Sequence, residues 1–141
     1  MSDLELKDYR HRFEVFTRRS DSVGNGHIPN AVLAAYFDDA REGLHHAIME
    51  RSVYEDSAAF SLVLGEVRMR FLAGITFPGV LTIGVGVSRI GRCSIDESAG
   101  FFRDGHCLAT AWCTLIKLAD RRPGPFTDEE RARAGPYMLA A

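Results

Sequence analysis

From Asn30 onward Leu33, Phe37, Ala40, Leu44, Ala47 and Ile48 recur at three- and four-residue spacing, with Asp38, Glu42, His45 and His46 on the opposite side. This period predicts one long amphipathic helix running to about Arg51, capped at its start by Asn30, with Ala31, Ala34 and Ala35 allowing another element to approach closely. His45, His46 and also His11 are expected on the solvated surface. The text around the helix reads as strand. Phe13, Val15 and Phe16 stand among polar neighbours in residues 11–18, and residues 60–71, 80–90, 93–102 and 106–118 are rich in β-branched, aromatic or alternating side chains. Asp104-Gly105 and Gly91-Arg92 supply tight turns between the later strands. One strand, one long helix and four strands in succession leave an economical solution, an α+β fold in the order β-α-β-β-β-β whose antiparallel five-stranded sheet wraps around the helix.

A chain of 141 residues is the length of one domain. We assign residues 1–122 to the sheet and helix. Residues 123–141 form a C-terminal tail with a short helix, because Thr127 and Glu130 have the spacing of a capping box. A net charge of -2 and a pI near 6.2 give no general field for nucleic acid, so none is expected as a partner. The N-terminal text lacks signal-peptide order and no run reaches the about eighteen apolar residues of a membrane span, so a cytoplasmic protein without a membrane partner is expected. Cys93, Cys107 and Cys113 form no CxxC pair and are odd in number, which predicts reduced strand thiols rather than a disulfide framework or zinc knuckle. No histidine spacing demands a metal, and no cofactor is expected.

Residues 20–30 collect Ser, Asp, Gly, Asn and Pro into a loop that opens directly into the helix. A helix start offers unpaired N–H groups and the positive end of its dipole to a developing negative charge. Asp21 and Asn25 can equally serve the loop's own backbone.

Arg18, Asp21, Gly26, His27, Asn30, Tyr36, Phe37 and Ala40-Arg41 match the pattern R-[WY]-x-D-x-D-x-x-G-H-[VI]-N-N followed by YF-[ED]-x-AR. Glu66 to Phe71 matches the second strand of the same pattern, and Gly91 with Ser94 its Gly-x-x-Ser hairpin. In these features the chain resembles the 4-hydroxybenzoyl-CoA thioesterase-like family, a hot-dog-fold group, over most of its length to Asp120. The resemblance implies hydrolysis of an acyl or aroyl thioester of CoA or of acyl-carrier protein. It also implies a homodimer or dimer of dimers whose sheets join, with sites at the subunit interface.

The second aspartate of the family's D-x-D pair, the catalytic carboxylate in many members, falls on Val23 here. Valine neither attacks a thioester nor accepts a proton. The pair Asn25 and His27 resembles the N-x-H of the plant acyl-carrier-protein thioesterase branch, which implies His27 as general base and Asn25 as the group positioning water or carbonyl. Asp21 is the candidate to orient His27 or to replace the missing acid. Asn30 and Tyr36 are expected at the acyl pocket, and Arg89 and Arg92, flanking the turn before the fourth strand, at the phosphates of CoA. Two further readings are a non-hydrolytic binder of acyl-CoA or acyl-carrier protein, and a dehydratase or hydratase suggested by the Gly26-His27-Ile28-Pro29 text.

Overall fold

The computed structural model describes residues 4–50 and 61–140. β1 (His11–Phe16) leads through a loop into α1 (Asn30–Met49). Four strands follow, β2 (Ser61–Phe71), β3 (Val80–Ile90), β4 (Ser94–Arg103) and β5 (His106–Ala119), and then a two-residue β6 (Arg122–Pro123) and a short α2 (Asp128–Ala134). The expected strand beginning at Phe60 and the expected helix end at Arg51 reach residues outside those described. Within them α1 closes at Glu50, whose φ of 54° and N–H bond to the His46 carbonyl form a left-handed cap.

Every named strand pair is antiparallel, in the order β1-β3-β4-β5-β2, and β6 adds a sixth, short strand beside β5. The sheet keeps α1 on one face because its strands alternate. Leu81, Ile83, Val85 and Val87 of β3, Ile95, Ala99 and Phe101 of β4, and Ala109, Ala111, Cys113 and Leu115 of β5 are all buried, and they share one core with Leu33, Phe37, Ala40, Leu44 and Ile48 of α1. Complete burial of a side chain such as Phe37 or Ile48 contributes about 1.5–3 kcal/mol, so this single helix face supplies much of the cohesion.

The Thr127 hydroxyl accepts from the Glu130 N–H, and the Glu130 carboxylate accepts from the Thr127 N–H, as the sequence spacing predicts. The same carboxylate takes Lys117 of β5 at 2.7 Å, and Arg133 donates to the Ile48 carbonyl near the end of α1. α2 is thereby tied to both the sheet and the central helix.

The two sheet edges differ. β1 carries Val15 into the core, whereas β2 is the outermost strand at the opposite edge and leaves Val63, Leu64, Val67 and Phe71 exposed. No helix among the described residues is long and apolar enough to cross a membrane.

Candidate active site at the start of the central helix

The loop before α1 is a tight double turn rather than an open coil. The N–H groups of Gly26 and His27 both donate to the Val23 carbonyl, and the Val23 N–H donates back to the His27 carbonyl at 2.8 Å. Gly24 and Gly26 take φ of 54° and 88°, backbone that side chains rarely adopt. At Gly26 a Cβ would also lie 2.8 Å from the Phe77 carbonyl oxygen, so only glycine lets the loop lie against residues 75–77. The Phe77 N–H donates to the Gly26 carbonyl at 2.7 Å and the Ile28 N–H to the Ile75 carbonyl at 2.9 Å, while the Ile28 side chain is almost wholly buried. The loop is thus anchored by backbone bonds and one apolar plug at its helix end, and the Ser22 hydroxyl, which donates to the Arg19 carbonyl at 2.7 Å, braces its start.

Pro29, not Asn30, is the N-cap, and Asn30 is the first helical residue. The sequence assigned the cap to Asn30 because asparagine is a good capping type; proline, which lacks an N–H, is fixed near the required φ and displaces it by one position. Pro29 has no side-chain acceptor, and its carbonyl takes Val32 and Leu33. The N–H groups of Asn30 and Ala31 are left without an acceptor among the described residues, at the positive end of a twenty-residue helix. A cleft of about 500 Å³ opens there, lined by His27, Pro29, Asn30 and Leu33 on one side and by Phe71 and Gly74 on the other.

His27 is pinned by its backbone on both sides, through bridges to Val23 and Thr76, while its imidazole has no partner among the described residues. Asp21 does not orient it. The Asp21 carboxylate accepts from the Tyr36 hydroxyl at 2.7 Å and from the Arg18 N–H at 3.3 Å, and Arg18 stands 3.6 Å away as an ion partner. The Tyr36 bond, helped by Arg18, holds the Asp21 carboxyl below its usual range, and burial together with Asp21 pushes the Tyr36 phenol upward. Tyr36, expected at the acyl pocket, is buried and its hydroxyl is committed to this bond. Asn25 is exposed at the tip of the turn and does not line the cleft. Val23 is 55% exposed, an apolar side chain offered to solvent in the loop itself.

Arg89 and Arg92 lie elsewhere. Phe71, beside the cleft, shares a row across the sheet with Ala109, Phe101 and Ile83. From Ile83 to Ile90 β3 runs roughly 23 Å at about 3.3 Å per residue, so within one chain the two arginines stand at the far end of the sheet.

The sequence missed a buried polar seat under the middle of α1. His45, expected on the surface, places Nε2 at 2.9 and 2.8 Å from the two carboxylate oxygens of Glu97, which is wholly buried in β4. Arg41 donates to the Cys113 sulfur at 3.1 Å and to Asp38 at 3.0 Å, with its guanidinium 4.2 Å from the Phe37 ring. Burial, with Glu97 adding to it, pushes the Cys113 thiol up to about 11. His11, also expected on the surface, is half-buried and donates to the Ala40 carbonyl, and desolvation lowers its pKa. The available signal was Glu97 itself, a lone acid on the inward side of β4 between Ile95 and Ala99. Among the described residues no group of three or more His, Cys, Asp or Glu is arranged to hold a metal ion.

The family model described as the thioesterase-like superfamily matches residues 19–134. No curated protein matches the sequence. Among solved structures, a protein of Pseudomonas aeruginosa PAO1 is 20% identical and covers 97% of each chain with a TM-score of 0.85. A Thermus thermophilus thioesterase complexed with coenzyme A and zinc is 24% identical, over 93% of this chain and 96% of its own, with a TM-score of 0.81. A Staphylococcus aureus protein in complex with CoA is 14% identical, over 93% of this chain and 87% of its own, with a TM-score of 0.83. The curled antiparallel sheet with its enclosed helix is the hot-dog fold that these neighbours share.

Proposed function

Because this chain belongs to the thioesterase-like superfamily, we propose that it hydrolyses an acyl or aroyl thioester of CoA to the free acid and CoA in the cleft at the start of α1. The observation that carries the reading is the meeting in one cleft of His27, whose imidazole has no partner among the described residues, with Asn30 at a helix start whose first two N–H groups have no acceptor among those residues. The thioester carbonyl oxygen docks on the N–H groups of Asn30 and Ala31, which strengthen their hold as that oxygen becomes an oxyanion. His27 accepts a proton from water as the water oxygen bonds to the carbonyl carbon. Collapse of the oxyanion breaks the carbon–sulfur bond, and the imidazolium returns its proton to the sulfur, releasing the thiol. Asp21 acts through Tyr36 by holding the loop against α1 and takes no proton itself.

The site is completed by a second copy of the chain. β2 is an edge strand that pairs with no strand on its outer side among the described residues and exposes apolar side chains, which favours pairing with another strand. A two-fold contact of β2 with itself is antiparallel, so it brings the Arg89 and Arg92 end of one copy to the same end of the joined sheet as the other copy's cleft. That arrangement supports the two arginines as phosphate contacts for CoA, and it makes a homodimer the smallest complete unit.

A second reading is a binder of acyl-CoA or acyl-carrier protein that does not turn its ligand over, favoured by the exposed Val23 at the position the sequence resemblance gives to the second aspartate of the D-x-D pair. Purified protein assayed for thiol release against a panel of acyl- and aroyl-CoA esters separates the two. Release supports hydrolysis; saturable binding without release supports the binder, and Val23→Asp then gains activity.

A further inference from the structure

The outer face of the sheet, turned away from α1, holds a second cleft of about 630 Å³ that the proposed chemistry does not use. Its placement follows from strand alternation: Cys113 points inward to Arg41 of α1, so its neighbours Trp112 and Thr114 point outward. Arg68, Trp112 and Ser98 stand in one row across β2, β5 and β4, and Arg70, Thr110 and Gly100 form the next row on the same face. The Phe102 ring closes the second row above Gly100, where a Cβ would meet it at 2.6 Å. Tyr9 walls the far side, where a Cβ at Gly100 would come 3.4 Å from the tyrosine oxygen.

The chemistry of the lining is selective. The Arg68 guanidinium lies 4.3 Å from the Trp112 ring centroid, making a flat, cationic ledge. Arg70 beside it is exposed and has no carboxylate partner among the described residues, while Arg68 has only Glu66 at 3.9 Å. Among the described residues the lining contains these two arginines and no carboxylate. The volume falls within the about 300–1,000 Å³ of small-molecule sites. Arginine forks bind phosphate oxygens in pairs, and an indole with a guanidinium forms a surface on which a nucleobase stacks. A second copy docked through the same patch would bring arginine against arginine, which like charge opposes.

We propose that this outer cleft binds a phosphorylated nucleoside, its phosphates held by Arg70 and Arg68 and its base laid against the Trp112 ledge. The nucleoside is either a free nucleotide or the distal end of CoA, which would then have Arg68 and Arg70 in place of Arg89 and Arg92 as its phosphate contacts, and only the CoA source rests on the thioesterase reading.

Trp112 is the only tryptophan in the chain, so its fluorescence reports this cleft directly. The full chain is titrated with adenosine 3′,5′-bisphosphate, ATP, adenosine and inorganic phosphate, with calorimetry in parallel. The expected result is saturable binding of a nucleotide, weaker binding of adenosine or phosphate alone, and a Kd raised about tenfold or more in Arg70→Ala, the scale of one lost charge-assisted contact. Competition by the bisphosphate against an acyl-CoA, but not against the same S-acyl-pantetheine, identifies the CoA end. Binding without such competition identifies a free nucleotide, and it stands even if no thioester is hydrolysed. No nucleotide signal by either method, or equal affinity in Arg70→Ala, overturns the proposal. So does self-association that masks the cleft and is lost in Trp112→Ala.

Discussion

The start of α1 and its middle are built from the same kinds of side chain and treat them in opposite ways. In the middle, His45 bonds both oxygens of Glu97 and Arg41 reaches Cys113, Asp38 and the Phe37 carbonyl. No buried side-chain nitrogen or oxygen among the described residues lacks a partner. At the start, His27 and Asn30 line a cleft, and the His27 imidazole and the first two helix N–H groups have no partner among the described residues. Buried polar groups must be satisfied for the fold to stand, whereas groups at a binding site keep their capacity for a ligand. A histidine's surroundings, and not its presence near an acid, therefore separate scaffold from chemistry in this molecule.

The sharpest way to break the comparison is to remove each histidine. His45→Ala leaves a buried carboxylate uncompensated and is expected to cost about 3–5 kcal/mol in a denaturant titration. His27→Ala, at a ring without partners, stays within about 0.5 kcal/mol of the unmodified protein. Equal losses at both sites would erase the distinction. Gly26→Ala comes next: at φ 88°, with the Phe77 carbonyl in the way, it is expected to cost about 1–3 kcal/mol and to loosen the loop, read as lost amide protection of Ile28 and Phe77 in hydrogen exchange.

Tyr36→Phe has a smaller effect that depends on pH. The Tyr36 bond holds Asp21 below its ordinary 3.8, so this contribution is present above pH 3.8 and is lost as pH falls through the lower folded value. The difference in melting temperature between Tyr36→Phe and the unmodified protein should therefore narrow on acidification through that window. The smallest effect is alkaline. Burial raises Cys113 from 9.0 to about 11, so its contribution is complete below pH 9 and disappears as pH rises through about 11. Cys113→Ala should flatten the fall in melting temperature across that interval, leaving the later fall from Tyr9, which burial raises to about 12.

The strand and helix pattern was legible because period-2 and period-3.6 text differ over long stretches. β3 agrees with its expected bounds, β1 and β5 differ by one or two residues at their C-terminal ends, and β4 is shifted by one residue at each end. The Thr127 capping box was legible because its two bonds are local. What escaped the sequence depended on contacts across the fold. Helical spacing alone put His45 opposite the apolar stripe, and nothing local revealed that an acid fifty-two residues away would be buried beneath it. Asp21 lies close to His27 in sequence, yet the turn at Gly24 and Gly26 directs it to Tyr36, one helix turn and a half into α1. Arg89 and Arg92 look near the site in motif order but stand at the opposite end of the sheet, because strand length and not sequence order sets that distance.

The central claim is that the open groups at the start of α1 carry chemistry. Its most direct test is thiol release from acyl- and aroyl-CoA esters by the unmodified protein and by His27→Ala in parallel, each first shown to be folded. Release by the unmodified protein is expected, with a kcat lower by about 10²–10⁴ in His27→Ala, the usual contribution of a general base. Release unchanged in His27→Ala, or none from either protein, would contradict that claim.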